Sequence, residues 1–188
     1  MFRFVRRFID PSEDEMNLMR RTSFVRSYRK HEWISRSFDA DSNTCFVLRG
    51  TVVLFRSCGD KELVSEIFLD GEPAIAGFAD PAQPGVHRLK CLEDCEIAES
   101  SAADAERHAL EFPRFASVCR QFAEEQLQKT MRWNEQLRLL SPRERYDQVL
   151  RDRPLLSQRV PQHVLASYLG ITPETLSRIR GQIAAGGS

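Results

Sequence analysis

The stretch "TCFVLRGTVVLFRSCGDKELVSEIFLDGEP", residues 44–73, alternates β-branched and aromatic runs with breaks at Arg49-Gly50, at Cys58-Gly59-Asp60-Lys61 and at Asp70-Gly71. Short, evenly punctuated runs with period-two alternation predict an antiparallel sandwich or barrel. Further on, "VHRLKCLEDCEIAES", residues 86–100, supplies two more strands about a Glu93-Asp94 turn, so the β pattern extends from about Glu32 to Ser100.

Helical periodicity flanks this region. A short helix is expected over Pro11–Met19, with Ser12 as its cap and acidic residues in its first turn, and another over residues 101–110. From Pro113 to Leu140 run 28 residues with no glycine and no second proline, enough for about 40 Å of helix. Phe115, Val118 and Phe122, then Leu127 and Met131, recur at helical spacing, so one stripe can dock on the β domain while the other meets a second copy. A helix that packs only within its own chain is the competing reading. Ser141, Pro142 and Glu144 then form a capping box that starts a helix over Arg143–Arg151.

"PQHVLASYLGITPETLSRIR", residues 161–180, reads as two helices joined by a four-residue break. Val164, Leu165 and Leu169 face inward on Pro161–Leu169, Gly170 ends that helix, and Ile171 fills the angle. Thr172 caps the second helix, which runs to about Ile183 with Leu176 and Ile179 inward. Its outer face holds Thr172, Pro173, Glu174, Thr175, Ser177, Arg178 and Arg180, small and polar at the start and cationic beyond. Such a face fits a DNA major groove: a glutamate accepts from cytosine N4 and an arginine gives two bonds to guanine. An ordinary helical hairpin with solvated charges is the alternative.

Composition narrows the classes. Lysine plus arginine and aspartate plus glutamate both total 27, so no global charge marks a nucleic-acid binder. Residues 141–180, however, hold seven arginines against four acids, a local +3. No run approaches the roughly 18 apolar residues of a membrane span, and residues 1–15 do not read as a secretory signal, so a soluble, cytoplasmic chain is expected. The five cysteines (Cys45, Cys58, Cys91, Cys95, Cys119) lack a Cys-x-x-Cys pair and suit reduced thiols. His31, His87, His108 and His163 are isolated, and no nucleophile elbow, phosphate loop or dinucleotide fingerprint occurs. Neither enzyme activity nor a metal site is expected.

"QHVLASYLGITPETLSRIR" resembles the helix-turn-helix of the cyclic-AMP receptor protein and FNR (CRP/FNR) family of bacterial transcription regulators, whose recognition helix reads Ser/Thr-x-Glu-Thr-x-x-Arg; Thr172, Glu174, Thr175 and Arg178 stand at those positions. "CFVLRGTVVLF", with Gly50, resembles the family's β-roll, and "FLDGE", with Gly71 and Glu72, the start of its ligand cassette. The resemblance implies an α+β chain: a cyclic-nucleotide-binding-like antiparallel β-roll (double-stranded β-helix) over residues 1–111, a dimerisation helix over 112–140 and a helix-turn-helix domain over 141–188. It implies a homodimer joined through Phe115, Val118, Phe122, Leu127 and Met131, reading a palindromic duplex, with RNA polymerase as a further partner. Glu174 and Arg178 would read base edges, while Thr172, Thr175, Ser177 and Arg180 would bond phosphates or adjacent bases.

The sequence departs from that family pattern in three places. Gly85 and Val86 align with the Arg-Ser or Arg-Thr pair that holds a cyclic phosphate, so cyclic AMP is not the expected effector. Gly71, Glu72 and Arg88 remain as candidate lining for an unidentified small molecule, Arg88 only if the strand register slips by one. No cysteine precedes Cys45, against the N-terminal cluster ligands of FNR-type members, and Cys91 and Cys95 read as packing residues. Only eight residues follow Arg180, so little or no C-terminal wing is expected; any wing must come from "LLSQRVP", residues 155–161, with Arg159 toward a phosphate or simply solvated. An effector-binding or protein-interaction module without DNA binding is the second reading.

Overall fold

The computed structural model describes residues 1–34, 44–59, 61–74 and 87–186, in two units, Met1–Glu125 and Gln126–Ser188. In the first unit the strands are β1 (Phe24–Tyr28), β2 (Trp33–Ile34), β3 (Thr44–Arg49), β4 (Val52–Cys58), β5 (Lys61–Phe68), β6 (Pro73–Ala74), β7 (His87–Cys91) and β8 (Cys95–Ser100). They pair antiparallel as β1 with β8, β2 with β7, β3 with β6 and β4 with β5. This is one long hairpin wound on itself, with β4 and β5 at its tip. β3 also pairs β8 and β4 pairs β7, which gives two sheets in the orders β1-β8-β3-β6 and β2-β7-β4-β5. The expected antiparallel roll is present. Its strand alternation sends Cys45, Val47, Val52, Leu54, Leu89, Cys91 and Ile97 into a common core.

Two breaks that look like hairpin turns in the sequence are instead corners, because β3 and β4, and likewise β7 and β8, lie in different sheets. Gly50 has φ +112°, and a Cβ there would stand 2.4 Å from Cys95 Sγ, so the two corners pack backbone against side chain. Gly50 N–H donates to Asp70 Oδ1 at 2.6 Å, and Leu92 N–H donates to Thr51 O at 2.9 Å. The corners are therefore stitched to one another.

Helix α1 (Phe2–Val5), which the sequence did not announce, places Phe4 edge-on against Phe46 and Phe122 at 5.7 and 5.3 Å. α2 (Glu13–Thr22) starts in a Ser12–Glu15 capping box and runs past Met19 to Thr22. α3 (Ala102–Glu111) is capped by Ser101. Thr22 Oγ1 bonds Leu18 O at 2.8 Å and the His108 ring at 2.7 Å, tying α2 to α3 through two buried polar groups. α4 (Pro113–Leu139) is the long helix.

In the second unit, α5 (Pro142–Asp152) begins in the expected Ser141–Glu144 capping box. α6 (Pro154–Arg159) corrects the sequence reading: residues 155–159, reserved for any wing strand, are helical. Pro154 starts the helix at its first turn and Leu156 is fully buried, so tertiary packing decides a segment whose pattern was ambiguous. α7 (Gln162–Tyr168) and α8 (Pro173–Gly186) follow, α8 ending beyond Ile183. Val164, Leu165, Leu169, Leu176 and Ile179 form the buried seam between them.

Candidate nucleic-acid interface

The turn between α7 and α8 is set by Gly170, whose φ is +68°. Its N–H donates to Ser167 O at 3.1 Å and Ile171 N–H donates to Ala166 O at 3.0 Å, a Schellman end that satisfies α7's terminal carbonyls. Thr172 then caps α8, accepting from Thr175 N–H at 3.2 Å. With Leu176 and Ile179 inward, Thr172, Pro173, Glu174, Ser177 and Arg178 are exposed and Thr175 is half-buried. The Glu174 carboxyl is held below the usual range by its own backbone N–H and by the Thr172 hydroxyl, so it stands ionised at the helix start.

Pro173, Glu174, Ser177 and Arg178 line a shallow open concavity of about 460 Å³, together with Gln162. Gln162 Nε2 donates to Pro173 O at 2.9 Å. Sequence reading missed Gln162 because a polar residue at a helix start looks solvated; only the hairpin's closure brings it beside α8. Arg178 has no hydrogen-bond or ion-pair partner among the described residues.

Several other arginines of this unit have partners within it or are withdrawn from the surface. Arg180 corrects the reading that sent it to a phosphate: its Nε donates to the Tyr146 hydroxyl at 3.0 Å, it packs over that ring, and its Nη2 is buried. Arg143 pairs with Asp147 at 3.0 Å, and Arg145 is buried. Arg159 is half-buried at the end of α6. The local +3 of the sequence therefore overstates the cationic surface next to α8.

The residues assigned to a dimer contact divide. Val118 is 3% exposed, Phe115 meets His108 edge-on at 5.3 Å and Phe122 meets Phe4 at 5.3 Å. These three make contacts within their own chain, Phe115 on α3 and Phe122 on α1, and only Val118 is fully withdrawn from the surface. Leu127 and Met131 stay exposed, at 59% and 56%.

The candidate effector residues separate in the same way. Gly71, at φ +82°, and Glu72 form a tight turn after β5: Gly71 N–H donates to Val47 O at 2.8 Å and the Glu72 carboxylate accepts from Leu69 N–H at 2.9 Å. Arg88 lies outside, because Leu89 and Cys91 take the interior positions and the register does not slip. It is exposed, stacks 4.0 Å over Trp33 and pairs with Glu62. Gly85 and Val86 lie outside the described residues. Cys91 and Cys95 are both buried in the core, and no cluster able to hold a metal occurs among the described residues.

No family model and no curated protein matches the sequence. Solved structures do. The c-di-GMP-responsive global regulator CLP of Xanthomonas campestris is 21% identical, with a TM-score of 0.71, covering 94% of this chain and 93% of that one. FixK2 of Bradyrhizobium japonicum is 19% identical, at 0.70 over 88% and 86%. A CooA mutant from Carboxydothermus hydrogenoformans is 17% identical, at 0.71 over 94% and 82%. The wound β-roll followed by helices α4 to α8 is thus the fold of CRP/FNR-type regulators, a cyclic-nucleotide-binding domain joined to a helical unit.

Proposed function

We propose that the chain is a sequence-specific DNA-binding transcription regulator and not an enzyme, acting as a homodimer in the bacterial cytoplasm and sensing a small-molecule effector other than cyclic AMP through its roll. The observation that carries this reading is the outer row of α8, where Glu174, Ser177 and Arg178 stand exposed on a helix held rigid by its buried seam. A glutamate and an arginine one turn apart suit base edges, and Thr172 and Thr175 suit adjacent phosphates. Gln162 joins them as a groove contact. The fold shared with known regulators supports the same class.

The dimer contact is assigned to Leu127 and Met131, on one face of α4 at i, i+4, with two recognition helices about 34 Å apart on a two-fold duplex. RNA polymerase is the partner through which a bound dimer would act. Selection from a random duplex pool by the purified chain tests the reading. A two-fold motif should emerge, with affinity falling steeply from low to moderate salt. Arg178→Ala should lose about 1–3 kcal/mol of discrimination at one base position. A chain that enriches no sequence is a ligand-binding or interaction module instead.

A further inference from the structure

The second unit buries an arginine without a carboxylate to balance it. Arg145 is 7% exposed, and no acidic partner accompanies it among the described residues. Its Nη1 donates to Leu140 O at 2.7 Å, just past the end of α4, and reaches Leu137 O in its last turn at 3.5 Å, while its Nε donates at 3.0 Å to the carbonyl of Leu169, the C-cap of α7. Those are carbonyls that helix ends leave unpaired, at the negative poles of two helix dipoles. One guanidinium therefore neutralises two helix ends at once and joins them. Burial of a cation on such terms requires donors fixed in a plane and pointing in different directions, which arginine has and lysine lacks.

Two further contacts join the same pieces. Trp133 of α4 stacks on Tyr168 of α7, with centroids 4.8 Å apart and rings within 11° of parallel. Leu137 Cδ2 stands 3.4 Å from where a Cβ on Gly170 would sit, so the end of α4 also presses on the turn that leads into α8. An ordinary stabilising role needs one such contact somewhere in the core. Here three converge on the C-terminus of α7 and the turn that aims α8.

We propose that Arg145 is a positioning residue for DNA recognition: with Trp133 it clamps the α7–α8 turn to the end of α4, so that the direction of α8 in each protomer follows α4 and the dimer accepts one half-site spacing. This rests on the regulator reading given above. The clamp touches no DNA. It acts by holding Glu174, Ser177 and Arg178 in a fixed frame.

The test uses the full chain and duplexes carrying two copies of the half-site that the wild type selects, with the spacer lengthened or shortened one base pair at a time. Each base pair moves a half-site by about 3.4 Å and turns it by about 34°. The wild type should lose about tenfold in affinity per base pair. Arg145→Lys and Arg145→Gln should keep binding to a single half-site while the spacing profile flattens to within about threefold. Variants that melt earlier yet keep the sharp profile overturn the clamp, since a merely structural arginine predicts that result. Should both variants fail to fold, Trp133→Leu carries the test from a half-buried position: a flattened profile supports the clamp and an unchanged one overturns it. A wild type that selects no duplex sinks the regulator reading, and the clamp with it; a sharp wild type beside equally sharp variants removes the clamp alone.

Discussion

In the roll, the candidate effector side chains Glu72 and Arg88, and the buried Glu99, are engaged with the roll itself. Glu72 caps the turn of its own strand, Arg88 is held between Trp33 and Glu62, and the buried Glu99 accepts from the Tyr28 hydroxyl. On α8 the reverse holds: Ser177 and Arg178 project from a helix whose inward face is fully spent on packing. The contrast shows where each unit places its polar groups. In the first they secure corners and strand edges, and on the outer row of α8 Ser177 and Arg178 stay exposed.

Substitutions in the two units should break or sharpen that contrast. The largest effect is expected at Gly50, where a new Cβ meets Cys95 at 2.4 Å and the backbone is left-handed. Gly50→Ala should cost the roll about 3 kcal/mol or more, read as a lower urea midpoint for its β signal. Leu165→Ala, at a fully buried position of the helical seam, should cost about 2–5 kcal/mol in the second unit and abolish duplex selection while leaving the β signal's midpoint in place. A single shared transition shifted equally by both would erase the distinction between units.

A smaller effect is expected from pH. Burial lowers the pKa of His108, and burial with the nearby Arg56 lowers that of His87, so both rings resist protonation in the folded roll. The unfolded chain binds these protons first, starting near its ordinary value of about 6.5, and stability is therefore lost as pH falls below that point. His108→Gln should flatten part of this acid slope in a melting series from pH 7 to pH 5, and an unchanged slope would remove His108 as a contributor. The smallest effect belongs to Arg88→Ala. Loss of an exposed cation–aromatic stack should cost about 0.5–1 kcal/mol. A larger loss, or a lost response to an effector, would return Arg88 to the sensing site.

Much of this was legible before the fold. The Ser12–Glu15 and Ser141–Glu144 capping boxes, the glycine breaks at residues 50, 59 and 71, and the Gly170 end of α7 each act through neighbours within a few residues, so local chemistry announces them. The outer row of α8 follows from helical period alone. The partners of charged side chains were not legible in this way. Seven arginines over residues 141–180 looked like a cationic surface, yet Arg145 is buried on carbonyls and Arg180 is tied to Tyr146, choices made by residues 24 and 34 positions away. The ring partners of Phe115 and Phe122, His108 on α3 and Phe4 on α1, were likewise not legible from the helix's own period.

By itself the sequence determined an antiparallel β region, most of the helices around it and the row Thr172, Glu174, Ser177 and Arg178, because period, capping and glycine placement are properties of neighbouring residues. Tertiary structure alone decided that residues 155–159 are helical, that Gln162 stands beside α8, that Arg88 points outward and that Arg145 grips two helix ends. The physical reason is common to all four: which unpaired donor or apolar face a side chain meets depends on groups brought together only when the chain closes, and no local pattern encodes them.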